Sequence, residues 1–248
     1  MKRLMNILVW SALLGVATAW AQAPEAAAGE AAATSTSLLD LIKVGGWAMW
    51  PLGGCSFGLI TIAIIIAQKV NRKKLIPPAA LAEIKRAAKV GDVMVMQNTA
   101  ATSPSLFTNS LAVGLRQLDP EDPLGSKERI ESAIAETVVR EEAGYAFWIN
   151  FLSLITAVSP MVGLLGTVSG MIGAFQKIGQ GGMGKPELLA ANIGEALITT
   201  ATGLIVAIPS MFCFFLFRNQ LNKLVQIAEQ EFTNVLNLLL GIGGANEG

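Results

Sequence analysis

The sequence predicts an all-α integral membrane protein with three transmembrane helices, two of them extended into a cytoplasmic helical domain. Three observations predict it. The 248-residue chain is 52% hydrophobic and only 15% charged, whereas ordinary soluble domains are about 25% charged. Three apolar stretches begin near Gly46, Ala143 and Leu188, each long enough to cross a hydrocarbon core of about 30 Å as a helix. Basic residues close the first and the last of them: Lys69, Arg72, Lys73 and Lys74, then Arg218 and Lys223. Lys and Arg gather on the cytoplasmic side of spanning helices, which sets the orientation.

Composition also excludes classes. The 18 Lys and Arg balance the 18 Asp and Glu, so the global charge gives no reason to expect nucleic acid as a partner. The chain has no His, which removes the commonest general base and metal ligand. Cys55 and Cys213 stand singly in apolar runs and form no metal-spaced pair. With no nucleophile–base pair and no nucleotide motif, neither enzymatic activity, a metal nor a cofactor is expected.

The elements follow in order. Residues 1–21 read as a signal peptide. Lys2 and Arg3 precede a short apolar core from Leu4 to Val16, and Ala19-Trp20-Ala21 fits a small-x-small cleavage site. Residues 22–45 read as a periplasmic leader, rich in Ala, Gly, Glu and Ser, with an amphipathic stretch over 37–43. Transmembrane helix 1 is expected over 46–67, with Trp47 and Trp50 at the outer interface and Pro51 in the first turn.

Residues 68–142 read as the cytoplasmic helical domain. Pro77-Pro78 opens a helix through Lys89, and Gly91-Asp92 ends it. Ser103-Pro104 is expected to cap a helix running to about Leu118. A turn-rich connector, Asp119-Pro120-Glu121-Asp122-Pro123, follows. Ser126 then caps a solvated helix carrying Lys127, Glu128, Arg129, Glu131, Glu136, Arg140, Glu141 and Glu142.

Transmembrane helix 2 is expected over 143–176. No breaker separates it from the charged stretch, so one helix of roughly 75 Å would run from Lys127 to Gln176, with a candidate kink at Pro160. Residues 177–187 form a periplasmic turn. Gly179 to Lys185 matches part of a phosphate-loop spacing, but Pro186 stands where Ser or Thr is required and no strand precedes it. Transmembrane helix 3 is expected over 188–217. Its helix continues into the cytoplasm through Leu221, Leu224, Val225, Ile227 and Ala228, and a Gly-rich tail completes 218–248.

Two patterns inside the spans carry the functional reading. Gly163, Gly166, Gly170 and Gly173 recur at helical spacing and form a seam for close helix approach. Copies of the chain are expected to meet along that seam. The second pattern surrounds Glu195. It is the only charged residue in its apolar stretch, and no other charge appears until Arg218, about 22 residues on. A carboxyl within a bilayer costs about 2.5–3.5 kcal/mol on insertion scales, so it marks a function more often than chance. Glu195, Thr199 and Thr202 share one helical face. Counting inward from Lys177 and Lys185 places Thr167 and Glu195 at one depth, each about 15 Å from its lysine. One titratable group in a polar stripe is the simplest lining for an ion path; a neutral, hydrogen-bonded structural carboxyl is the alternative.

Three stretches carry a resemblance: Gly45-Gly46-Trp47-Ala48-Met49-Trp50-Pro51-Leu52, Ser159-Pro160-Met161-Val162-Gly163-Leu164-Leu165-Gly166-Thr167-Val168-Ser169-Gly170, and Ile193-Gly194-Glu195-Ala196-Leu197 on to Gly203 and Ala207-Ile208-Pro209. With the order of one span, a cytoplasmic domain and two closing spans, the chain resembles the MotA/TolQ/ExbB proton-channel family, and its ExbB members most. The resemblance implies a homopentamer in the lipid bilayer of the bacterial inner membrane, its N-terminus periplasmic. It implies single-span partners of the ExbD/TolR type, two of whose helices the ring surrounds, and a TonB-like protein driven by proton flow. It puts the proton pathway on Thr167, Glu195 and Thr200. On an ideal helix Thr200 lies about 140° from Glu195, so spacing alone favours Thr199 and Thr202. Ala67-Gln68 departs from the Glu-Arg that relatives often carry there. The signal peptide favours the ExbB type over TolQ, and MotA proteins have four spans. A non-conducting scaffold for a partner is the competing reading.

Overall fold

The computed structural model describes residues 46–119, 121–122, 125–179 and 186–241. The expected signal peptide, the leader, most of the turn over 177–187 and the tail after 241 lie outside the described residues. Every regular element among those described is helical: α1 (Met49–Lys69), α2 (Arg72–Leu75), α3 (Pro78–Val90), α4 (Val93–Thr102), α5 (Leu106–Leu115), α6 (Lys127–Lys177) and α7 (Pro186–Leu239). Helices α1, α6 and α7 are long and apolar enough to cross a membrane. The fold is that of an all-α membrane protein.

Helix α6 has 51 residues and α7 has 54, and each contains a proline, Pro160 and Pro209. A helix-interior proline removes one N–H donor, and in apolar surroundings nearby hydroxyls help to satisfy the backbone. The hydroxyls near these prolines bond to other carbonyls than the ones the prolines leave unpaired: Ser159 Oγ donates to the Ile155 carbonyl at 2.8 Å, and Thr156 Oγ1 and Ser210 Oγ both donate to that of Leu152 at 2.8 Å.

The chain forms two compact units. The first comprises the described residues up to Thr61 together with Phe151–Phe214. Its core combines Leu52, Leu152 and Ile155 with small side chains, among them Ala48, Ala174, Ala196 and Ala207. Larger apolar groups such as Phe57, Met161, Leu164, Ile172 and Phe175 are exposed. An exposed apolar surface this extensive fits lipid contact.

The second unit comprises Ile62–Asn150 and the described residues from Phe215 on. Here the large side chains turn inward: Leu75, Ile84, Met96, Leu106, Phe107, Leu111, Ile130 and Leu221 are fully buried. The rings of Phe107 and Phe232 stack with centroids 4.7 Å apart. Gln220 Nε2 donates to the Val70 carbonyl at 2.8 Å, and Lys85 pairs with Glu231 at 2.6 Å. Helix α3 ends at Gly91, whose φ of 75° suits a residue without a Cβ.

Local detail differs from expectation in this unit. The cap before α5 is Ser105, not Ser103, and the helix ends at Leu115 rather than near Leu118. A reciprocal cap needs a polar partner three residues on. From Ser105 that partner is Thr108: Thr108 N donates to Ser105 Oγ at 3.2 Å, and Ser105 N donates to Thr108 Oγ1 at 2.9 Å. From Ser103 the partner would be apolar Leu106. Helix α4, capped by Asp92 accepting from Val95 N at 3.0 Å, was not anticipated. Ser126 ties down the connector rather than a helix N–H. Its Oγ accepts from Asp119 N at 2.9 Å and donates to the Asp122 carbonyl at 2.8 Å.

Replacing Phe107 by Ala removes a fully buried ring and its stacking partner's contact. The expected loss is about 3–5 kcal/mol, read as a lowered unfolding midpoint of the detergent-solubilised protein. Lys85→Ala, which breaks a part-exposed pair, is expected to cost under about 1 kcal/mol in the same assay.

Candidate functional site

The site is built where α6 and α7 touch within the first unit. Their approach depends on missing side chains. A Cβ on Gly203 would lie 2.6 Å from the Ser159 carbonyl oxygen and 3.3 Å from Gly163 Cα. A Cβ on Gly163 would lie 2.9 Å from the Thr199 carbonyl, and one on Gly170 3.1 Å from Ala196 Cβ. At Gly166 it would meet Thr199 Oγ1 at 2.6 Å and Ala48 Cβ at 3.0 Å. The seam of Gly163, Gly166 and Gly170 is therefore filled by α7 and by Ala48, the residue before α1, of the same chain. The expectation placed contacts between copies of the chain along this seam; within one chain these glycines already admit α7. Gly173 differs, since a Cβ there would have Asn192 Oδ1 at 4.0 Å as its nearest neighbour.

This contact gathers three hydroxyls. Thr167 Oγ1 lies 3.2 Å from the Gly163 carbonyl, 3.3 Å from the Ala196 carbonyl, and in hydrogen-bond contact with Thr200 Oγ1. Thr200 Oγ1 also reaches the Gly163 carbonyl at 3.2 Å. Thr199, almost fully buried, donates to the Ala196 carbonyl at 2.8 Å and lies 3.3 Å from that of Gly163. Thr202 stands apart, donating to the Ile198 carbonyl of its own helix at 2.8 Å. The spacing argument linked Glu195 with Thr199 and Thr202, but the residue joined to Thr167 is Thr200. The reason is the second helix: α6 contacts the side of α7 that carries Thr200, so the partner is chosen across the pair and not along one helix.

Glu195 faces elsewhere. A side chain on Gly46 would overlap Glu195 Oε1, so the carboxyl lies against the backbone at Gly46. Gly46 has φ +61°, a conformation that also favours glycine. The residues around the carboxyl are Trp47, Ala48, Gly166, Ser169, Gly170, Gly173 and Asn192. Trp47 Nε1 donates to Ser169 Oγ at 3.2 Å, and Lys177 Nζ donates to Asn192 Oδ1 at 3.1 Å. Thr167 is level with Glu195 in the sense expected, since it bonds to the very next carbonyl, that of Ala196. Their polar groups nevertheless point to different neighbours. Gly46, Ser169, Asn192 and Gly203 take part in the site without having been singled out for it. Ser169 was recognisable as a hydroxyl two residues beyond Thr167, and Asn192 as the polar residue one turn before Glu195.

Fold and site together define a class: a helical membrane protein whose closing hairpin holds one carboxyl and a threonine cluster within apolar sequence. Residues 102–230 match the MotA/TolQ/ExbB proton channel family, and the chain belongs to that family. A biopolymer transport protein ExbB of Xanthomonas campestris is 42% identical over 96 residues, 39% of this chain and 38% of that protein. A Tol-Pal system protein TolQ of Haemophilus influenzae is 32% identical over 123 residues, 50% of this chain and 52% of that protein. An ExbB-like biopolymer transport protein of Synechocystis is 32% identical over 183 residues, 71% of this chain and 69% of that protein. The matches to the first two cover only 38% and 52% of those relatives.

Gly203→Ala is expected to force α6 and α7 apart and to cost about 1–3 kcal/mol, as overpacking does. Gly54→Ala, with nothing within 4 Å of the added carbon, serves as the neutral control. Thermal unfolding of the purified protein compares the two.

Proposed function

We propose that the chain is a proton-channel subunit of an ExbB/ExbD-type motor in the bacterial inner membrane. It uses the proton motive force to energise TonB-dependent outer-membrane transport. Five copies surround an ExbD/TolR-type single-span partner, and a TonB-like protein receives the motion. Family membership supports this reading, and the higher identity to the ExbB relative favours that branch over TolQ. The observation that carries it is Glu195, the single carboxyl in the apolar part of α7, one residue from the carbonyl on which Thr167 and Thr199 converge.

The chemistry follows from those groups. Glu195 loads and releases the proton. Thr167, Thr199 and Thr200 offer hydroxyls that each both donate and accept, so they hold water or relay a proton beyond it. Each charge crossing the membrane supplies about 2.3 kcal/mol per 100 mV.

Glu195→Gln preserves shape and hydrogen bonding but cannot titrate. It is expected to assemble with its partner and to abolish energised uptake, while Glu195→Asp keeps part of it. Thr167→Val, which removes the hydroxyl between two helices, is expected to lower uptake without loss of complex. Uptake through a coupled outer-membrane transporter is measured beside complex yield. Wild-type uptake by the Gln variant at equal yield would leave only the non-conducting scaffold.

A further inference from the structure

We propose that the pocket bounded by Trp47, Ser169, Asn192 and Glu195 is a water-filled entry through which protons reach Glu195. They come from the membrane face that carries the α6–α7 connection. The proposal rests on the reading of Glu195 as the proton carrier and adds the route by which that group is filled.

The pocket has a volume of about 120 Å³, room for several waters. A cavity of this size lined by aliphatic groups stays dry, whereas one with convergent polar groups holds water. Here the polar groups are an indole N–H, a hydroxyl, an amide and a carboxyl. They surround a floor formed by Gly166, Gly170 and Gly173, which contribute no side chains and so leave the space open.

The polar groups also form a sequence. Lys177, exposed at the end of α6, donates to Asn192 Oδ1 at 3.1 Å. Asn192 lies one helical turn before Glu195 on α7. On the opposite wall Trp47 Nε1 donates to Ser169 Oγ at 3.2 Å. A hydroxyl that accepts one such bond still has its own proton to donate and a second lone pair to offer. Ser169 can therefore pass either sense of hydrogen bond to a water chain. Lys177 and Glu195 are the charged groups along this line, one at its outer end and one at its inner end. The threonine cluster on the Gly163 carbonyl uses other atoms, so entry to Glu195 and transfer beyond it are served by separate groups.

The pocket shows its own probe position. Gly173 lines this space, and the nearest neighbour of a Cβ added there is Asn192 Oδ1 at 4.0 Å, so a larger side chain at 173 takes up room that the pocket now leaves open. The test uses the full chain in its membrane complex, with Cys55 and Cys213 replaced by Ala. Ser169→Cys is exposed to a charged, membrane-impermeant thiosulfonate from each side of the membrane. Modification needs an ionised thiol and therefore water. Ser169→Cys is expected to react from the connection side at least about tenfold faster than Val168→Cys, an exposed neighbour that does not line the pocket. Gly173→Cys, on the pocket floor, gives a second reporter should Ser169→Cys fail to assemble. Adding Gly173→Leu to Ser169→Cys is expected to block the reaction. Alone it should lower proton-driven uptake by about tenfold at unchanged complex yield. Gly54→Ala, which lies outside the pocket and has open space around the added carbon, should leave both readouts near wild type. Reaction of Ser169→Cys no faster than Val168→Cys, or reaction undiminished by Gly173→Leu, overturns the proposal. Labelling does not require Glu195 to carry protons. A reactive Ser169→Cys beside a fully active Glu195→Gln therefore overturns the carrier reading and leaves a water-filled pocket.

Discussion

The first unit depends on backbone contact between α6 and α7. Gly203 sits over the Ser159 carbonyl and Gly163 against the Thr199–Thr200 backbone, at separations that no side chain permits. In lipid there is little hydrophobic gain from joining two apolar helices, so close packing and hydrogen bonding must hold them. The same approach brings α7 hydroxyls within reach of an α6 carbonyl. Packing and polarity thus come from a single arrangement: glycines bring the backbones together, and the threonines beside them satisfy the polar groups that are left facing one another.

The second unit is held differently. It buries Phe107, Ile84, Leu111 and Leu221 completely and keeps charges such as Lys85 and Glu231 at its surface, paired. That is the organisation of a domain in water, where burying large apolar groups is the main favourable term. The two units differ in what lies at their surfaces: the first leaves Phe57, Met161 and Phe175 exposed around a core that includes Leu52 and four alanines, and the second closes its core over Phe107 and Met96. Both long helices change from one regime to the other along their length.

Much of the architecture was legible because long patterns average out local ambiguity. Uninterrupted apolar runs and the lack of a breaker before Ala143 were enough to place α6 as one helix. Helix α4 was missed because Val93-Met94-Val95-Met96 has no clear helical period, and only the Asp92 cap betrays it. The Ser105 cap was readable in principle, since Thr108 stands three residues on. The site was legible as a set of residues but not as a set of contacts. A helical wheel shows which groups share a face of α7; it cannot show which face α6 will cover. That is why Thr200, rather than Thr202, meets Thr167. The approach of Gly46 to Glu195 joins residues far apart in sequence, which no local pattern encodes.

The position of Gly46, Trp47 and Ser169 around Glu195 bears on how the protein is made. Synthesis runs from the N-terminus, so α1 and α6 are complete before α7 leaves the ribosome. The last helix is the one that carries the acid. Gly46, Trp47 and Ser169, which line the space around its carboxyl, belong to segments made before it. The unfavourable insertion of a carboxyl therefore comes at the stage when Gly46, Trp47 and Ser169 are already made, and the order of the helices along the chain becomes part of the assembly route.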